Sequence, residues 1–137
     1  EKNTYKLFEY ISYQKFEEGI NKTKDNLIKL IKKIKKEKKS IAGYGAAAKT
    51  TTLLNYFGID NKLIDFIVDD NKLKQGRYTP GTHIPIFNSS YIYKRKPNYI
   101  ILLAWNYSNF IFIQHKKFFK IGGKFIVPFP KIKTISK

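Results

Sequence analysis

A chain of 137 residues with 42% hydrophobic and 16% aromatic residues is long enough for one buried core and too short for two. It contains no cysteine, which excludes a disulfide framework and a thiolate metal site, and no apolar run approaches the roughly 20 residues that span a bilayer. The formal charge of +17 invites a polynucleotide reading, but only Arg77 and Arg95 of 27 basic residues are arginine.

Lysine in excess beside abundant Ile and Asn is the pattern of coding sequence drifting toward A and T, so nucleic acid is not expected as the main partner. Neither is a membrane, nor a metal ion. The first residues lack the apolar core of a signal peptide, so the expected location is cytoplasmic. The chain begins at Glu1 and has no methionine, which leads us to expect a portion of a longer polypeptide.

Residues 13–38 predict a helix, with Phe16, Ile20, Leu27, Ile31 and Ile34 on one face and lysines around it. The segment 1–39 is expected to pack as a helical extension on a single domain formed by 40–137. Strand-like residues 40–44 lead through a glycine turn into a helix over 46–57 that stops at Gly58. A second strand over 63–68 completes a βαβ unit with a right-handed crossover.

Residues 70–82 are rich in turn formers and close with Pro80-Gly81. A short strand over 84–87, an amphipathic segment over 89–94, and a nearly continuous apolar strand over 99–104 follow. A helix over about 109–121 ends at Gly122-Gly123, and strands are predicted over 124–127 and 132–135. The alternation argues an α/β fold, a Rossmann-like open, mostly parallel twisted sheet flanked by helices. Ligands in such folds sit beyond the carboxyl ends of the strands, where the chain reverses direction across the sheet.

The turn "GYGAAAKT" admits two phosphate readings. As a P-loop it lacks the glycine before its lysine, since Ala48 stands there, and no strand ending in an acidic metal partner follows at the right place. As G-x-G-x-x-A it suits a dinucleotide: Gly43 for the tight turn, Gly45 for close approach, Ala48 where helix meets strand, and Asp69 near the position of a ribose-binding acid. The same turn also serves a helix that only crosses tightly over a sheet. An NAD(P)-binding oxidoreductase domain and a basic polynucleotide-binding module are the alternatives that the residues leave open.

Taken in order, "GYGAAAKTTTLLNYFGI", "IDFIVDDNKLKQGRYTPGTHIPIF", "YIILLAWNYSNFI" and "GGKFIVPFP" resemble the C-terminal domain of the bacterial sugar C-methyltransferases that act on nucleotide-linked deoxysugars. The resemblance covers about residues 40–130. It implies a zinc-binding module and an S-adenosylmethionine-binding domain upstream in the same polypeptide. It also implies a C-terminal domain that helps hold the nucleotide-linked sugar without itself binding S-adenosylmethionine or another cofactor. The base that abstracts a proton is implied to lie upstream, so the isolated domain is expected to be inactive, with His83 as the sole weak catalytic candidate.

The substrate-binding positions implied by the match are Tyr44, Gly45, Ala46, Ala47 and Lys49 in the turn. Asp69, Lys74, Gln75, Gly76, Arg77, Tyr78, Pro80, Gly81, Thr82 and His83 match along the long loop, and Ala104, Trp105 and Asn106 at a strand end. Asp70, Lys72 and Ser108-Asn109-Phe110 depart from the family pattern. Independently of the resemblance, a helix amino end with Lys49 favours an anion. Lys74 and Arg77 suit a diphosphate, and Tyr78 and Trp105 suit stacking on a base or sugar. The duller accounts are a solvated Lys49, an Asp69 that caps a turn, an Arg77 paired with Asp69 or Asp70, a core Trp105, a scaffolding His83 and a surface His115.

Overall fold

The computed structural model describes residues 2–129 and 131–136; for 2–17 and 49 it describes the backbone alone. Helix α1 runs Lys2–Lys36, strand β1 Ile41–Tyr44, helix α2 Ala48–Phe57, β2 Phe66–Val68, β3 Ile86–Phe87 and α3 Tyr91–Arg95. Strand β4 (Tyr99–Leu102) leads through a 3-10 turn at Trp105–Tyr107 into α4 (Ser108–Gln114) and α5 (Lys116–Lys120), and β5 (Lys124–Val127) and β6 (Lys133–Ile135) close the chain. The six strands form one sheet in the order β3-β2-β1-β4-β5-β6. All neighbours are parallel except β6, which lies antiparallel on β5. The fold is α/β with the Rossmann strand order.

Side chains alternate across the sheet with period two. Ile41, Ile67, Ile101 and Ile126 face α1 and α2, whose Leu27, Ile31, Ile34, Leu54 and Phe57 complete one buried cluster. Ala42, Tyr44, Phe66, Val68, Ile100, Leu102 and Phe125 face α3, α4 and α5, which contribute Ile92, Ile111 and Phe118. Of the predicted stripe on α1, Leu27, Ile31 and Ile34 are buried and Ile20 is half-buried; the side chain of Phe16 lies outside the described residues. The helix starts well before residue 13 because nothing in 2–12 stops propagation, neither Gly nor Pro, while aromatic density there hides the period.

Other boundaries differ for local reasons. The segment predicted as strand from residue 63 begins pairing only at Phe66. The Asp60 carbonyl accepts from the Leu63 and Ile64 amides, so those residues form a turn and send their apolar side chains under α2. Helix α2 starts at Ala48 rather than 46, since Ala47 is extended (φ −70, ψ 163) and the Ala46 carbonyl accepts from Lys74 Nζ instead of from a helical amide. The single helix expected over 109–121 is broken at His115 (φ −116, ψ 39). Among the described residues no helix is long and apolar enough to cross a membrane.

Two glycines set the ends of α2. Gly58 (φ 71) closes it with its amide on Asn55 O, and Ile59 N donates to Leu54 O, the paired bonds of a Schellman cap. Gly45 (φ 102) lies against the strand-end of β4, where an added Cβ would stand 2.7 Å from Ala104 Cβ. In urea unfolding, Gly58→Ala should cost about 1 kcal/mol, the penalty of the left-handed backbone alone. Gly45→Ala should cost about 3 kcal/mol or more, because strain and overlap add there.

Candidate functional site

The order β2-β1-β4 sets three strand ends side by side, and the connections after β1 and β4 depart to opposite faces of the sheet, α2 on one and α4 on the other. This is the switch point at which open α/β sheets leave a crevice. Backbone bonds join the three ends: Gly45 N donates to Val68 O and Ala104 N donates to Tyr44 O. The segments after β1, β2 and β4 are therefore joined at one rim through the backbone.

Ala46 is the centre of that convergence. Its N–H donates to Asp69 Oδ2 at 2.7 Å and its carbonyl accepts from Lys74 Nζ at 2.8 Å. The second Asp69 oxygen accepts from Asn71 N, and Gln75 Nε2 donates to the Asp69 carbonyl. Asp69 thus does cap its own turn, and it also clamps the glycine turn beside it. Half-buried Lys74 supplies the opposite charge. Helix α2, which begins one residue after Ala47, has no side-chain cap, so no side chain satisfies its first amides, which have no intrahelical acceptor. Lys49 is the second residue of α2; its side chain lies outside the described residues.

Arg77 and Tyr78 belong to a segment that runs back down the outer side of β3, with Gly76 N on Ile86 O and Ile86 N on Arg77 O. From there to β4 is four strand spacings, roughly 19 Å in the plane of the sheet. Arg77 is exposed and makes no ion pair with Asp69 or Asp70. On the other flank Trp105 sits in the 3-10 turn rather than in a strand, half-buried, its ring 4.8 Å from that of Phe129. Asn106 beside it is exposed.

His83 is not brought to this crevice. Asn61 N donates to Thr82 O and Asn55 Nδ2 to Pro80 O, which ties the Pro80–His83 turn to the last turn of α2 and to the connection before β2, at the amino edge of the sheet. There the exposed Tyr78 and His83 rings stack on each other at 4.3 Å and 5°. His83 holds a left-handed backbone (φ 54) and buried Thr79 pairs with Thr82.

The side chain of Tyr44 turns to the other face and enters a polar network that the sequence reading missed. Tyr44 Oη donates to Asp70 Oδ2 at 2.7 Å and lies 3.0 Å from His115 Nε2, while Tyr93 Oη lies 2.7 Å from His115 Nδ1. His115, expected at the surface, is 4% exposed. The signal was available: His115 stands four residues after Ile111 and three before Phe118, on the buried stripe of that helical segment. Burial, then the Asp70 hydrogen bond and charge, push the Tyr44 hydroxyl pKa well up. Burial also raises that of Tyr93. Among the described residues no cluster of three or more His, Asp or Glu is arranged to hold a metal ion.

The strand order and the anion-ready turn at the switch point define a Rossmann-like domain with its candidate site at the carboxyl rim. The family model described as the C-methyltransferase C-terminal domain matches residues 1–130, and the chain belongs to that family. It is similar to the C-methyltransferase NovU of Streptomyces niveus, 36% identical over 124 residues that cover 90% of this chain and 30% of that protein. The chain thus spans about a third of that relative. The family match includes α1 as well as the sheet.

Burial holds the His115 pKa below its ordinary value, against a weaker upward pull from Asp70. Below about pH 6.5 the unfolded chain takes up a proton at this residue that the folded chain resists, so its contribution to stability is full above that pH and is lost as pH falls toward the folded value. Denaturation midpoints measured from pH 7.5 to 5 should fall with pH, and His115→Gln should flatten the fall in that window.

Proposed function

We propose that this domain holds the nucleotide-linked keto-deoxysugar of an S-adenosylmethionine-dependent C-methyltransferase, with the methyl donor bound by an upstream domain of the same polypeptide. The observation that carries this reading is the uncapped amino end of α2 at the switch point, in a chain of the C-methyltransferase C-terminal domain family. The first amides of α2 and the positive end of its dipole favour a diphosphate. Lys49 enters at the first turn of that helix, and Lys74 adds charge from the loop. Trp105 offers a ring face to one end of the ligand.

The spacing of Arg77 and Trp105 favours an elongated ligand. Four strand spacings separate their backbones, so a single ligand touching both must run along the rim, as a base, ribose, diphosphate and sugar in series would. Tyr44 contributes by holding Asp70 rather than by direct contact. Gly45, Ala46 and Ala47 contribute backbone shape, and Asn106 adds an exposed amide beside Trp105. In the reaction that such a domain serves, a base removes a proton next to the sugar keto group and the carbanion takes the methyl from the sulfonium. The contribution of this chain is orientation.

Calorimetry of the chain with a deoxysugar linked to a nucleoside diphosphate should show binding that the double substitution Lys49→Ala, Arg77→Ala abolishes. Unchanged binding in the double variant would remove both residues from the site. Tight binding of NADH with no response to the sugar nucleotide would replace this reading by the oxidoreductase one.

A further inference from the structure

The chain of groups from Asp70 to Tyr93 is not used by the anion site, and its direction is fixed by its outer end. An ionised carboxylate only accepts, so the Tyr44 proton points at Asp70 Oδ2, 2.7 Å away. The Tyr44 oxygen must then accept from His115 Nε2–H at 3.0 Å. A neutral imidazole carries one ring proton, which leaves Nδ1 bare, and Tyr93 donates to it at 2.7 Å. Ser89, buried, faces the Tyr44 phenol, and Lys117 lies over the Tyr93 ring at 5.1 Å. Every buried side-chain polar atom among the described residues has a partner.

The two carboxylates at the end of β2 differ in what they leave free. Asp69 uses one oxygen on Ala46 N and the other on Asn71 N. Asp70 is exposed, gives one oxygen to buried Tyr44, and its other oxygen accepts no hydrogen bond among the described residues. An exposed carboxylate ordinarily spends side-chain entropy to be held in one place. Here a buried phenol, itself held by a buried imidazole, holds it in advance.

We propose that Asp70 accepts a hydrogen bond from a hydroxyl of the sugar at the crevice rim, and that Tyr44, His115 and Tyr93 are positioning residues that aim it. The inference rests on the reading that the crevice takes a nucleotide-linked sugar. It assigns the sugar end of the ligand to the α3–α5 side of the rim, and leaves the diphosphate on the α2 side.

The test titrates a nucleoside diphosphate and its deoxysugar-linked form into the unmodified chain, Asp70→Asn and Tyr93→Phe, with nitrogen NMR of the His115 ring recorded for each. The sugar-linked form should bind the unmodified chain more tightly than the bare diphosphate. Asp70→Asn should lose about tenfold of that advantage, the scale of a hydrogen bond to a charged group, and Tyr93→Phe a smaller part of it. Affinity for the bare diphosphate should not fall in either variant, and removal of the Asp70 charge leaves it equal or tighter, which excludes misfolding as the cause. The ring should show the Nε2–H tautomer in the unmodified chain and a mixture in Tyr93→Phe.

An Asp70→Asn chain that keeps the full advantage overturns the contact. Loss in Asp70→Asn with none in Tyr93→Phe overturns the positioning role, as does an Nδ1–H tautomer in the unmodified chain. If neither ligand binds the unmodified chain, the functional reading beneath the inference falls and takes it down.

Discussion

The carboxyl rim of the sheet depends on one residue, Ala46. Its amide is bound by the Asp69 carboxylate and its carbonyl by the Lys74 ammonium, two charge-assisted bonds from one loop that fix the turn between β1 and α2. Gly45 makes the arrangement sterically feasible, since its positive φ and missing Cβ let the turn press against Ala104. From this joint follow the direction in which α2 leaves and the level at which the connections from β1, β2 and β4 meet. The clamp gives each Asp69 oxygen a backbone amide, so the carboxylate that the glycine fingerprint marks for a ribose is already engaged by the protein's own backbone.

Much of the architecture was legible in the sequence because both sheet faces are buried. Parallel strands covered on both sides read as short apolar runs, and β1, β4 and β5 stand out in that way. Glycines at the helix ends marked α2 and the α4–α5 segment. What misled was apolar sequence doing another job: Leu63 and Ile64 look like strand but cover the base of α2 from a turn, and the kink at His115 left no Gly or Pro as a sign. The strand order, with β1 central, is set by long-range pairing and has no local signature.

The candidate site was legible unevenly. The turn and Asp69 can be found from spacing, because a glycine turn between strand and helix has few uses. That Lys74 would be drawn to a backbone carbonyl, or that Pro80 to His83 would fold to the amino edge of the sheet, depends on where a long loop goes. No periodicity reports that. His115 was misassigned because the lysines that follow it, Lys116 and Lys117, were weighed above its place on the buried stripe, a reminder that in a lysine-rich chain the neighbours in sequence say little about burial. The described lysines of α1, from Lys22 on, fit the same picture: they surround a packed apolar stripe and need no ligand to account for them.

The most direct measurement of the account is an amide NMR titration of the chain with a nucleoside diphosphate linked to a deoxysugar. The account predicts that the largest shifts fall on Gly45 to Thr50, Asp69 to Lys74 and Ala104 to Asn106, the segments that meet at the switch point. Shifts gathered instead on the lysines of α1, or on Tyr78 and His83 at the amino edge, with the Ala46 turn silent, would contradict it.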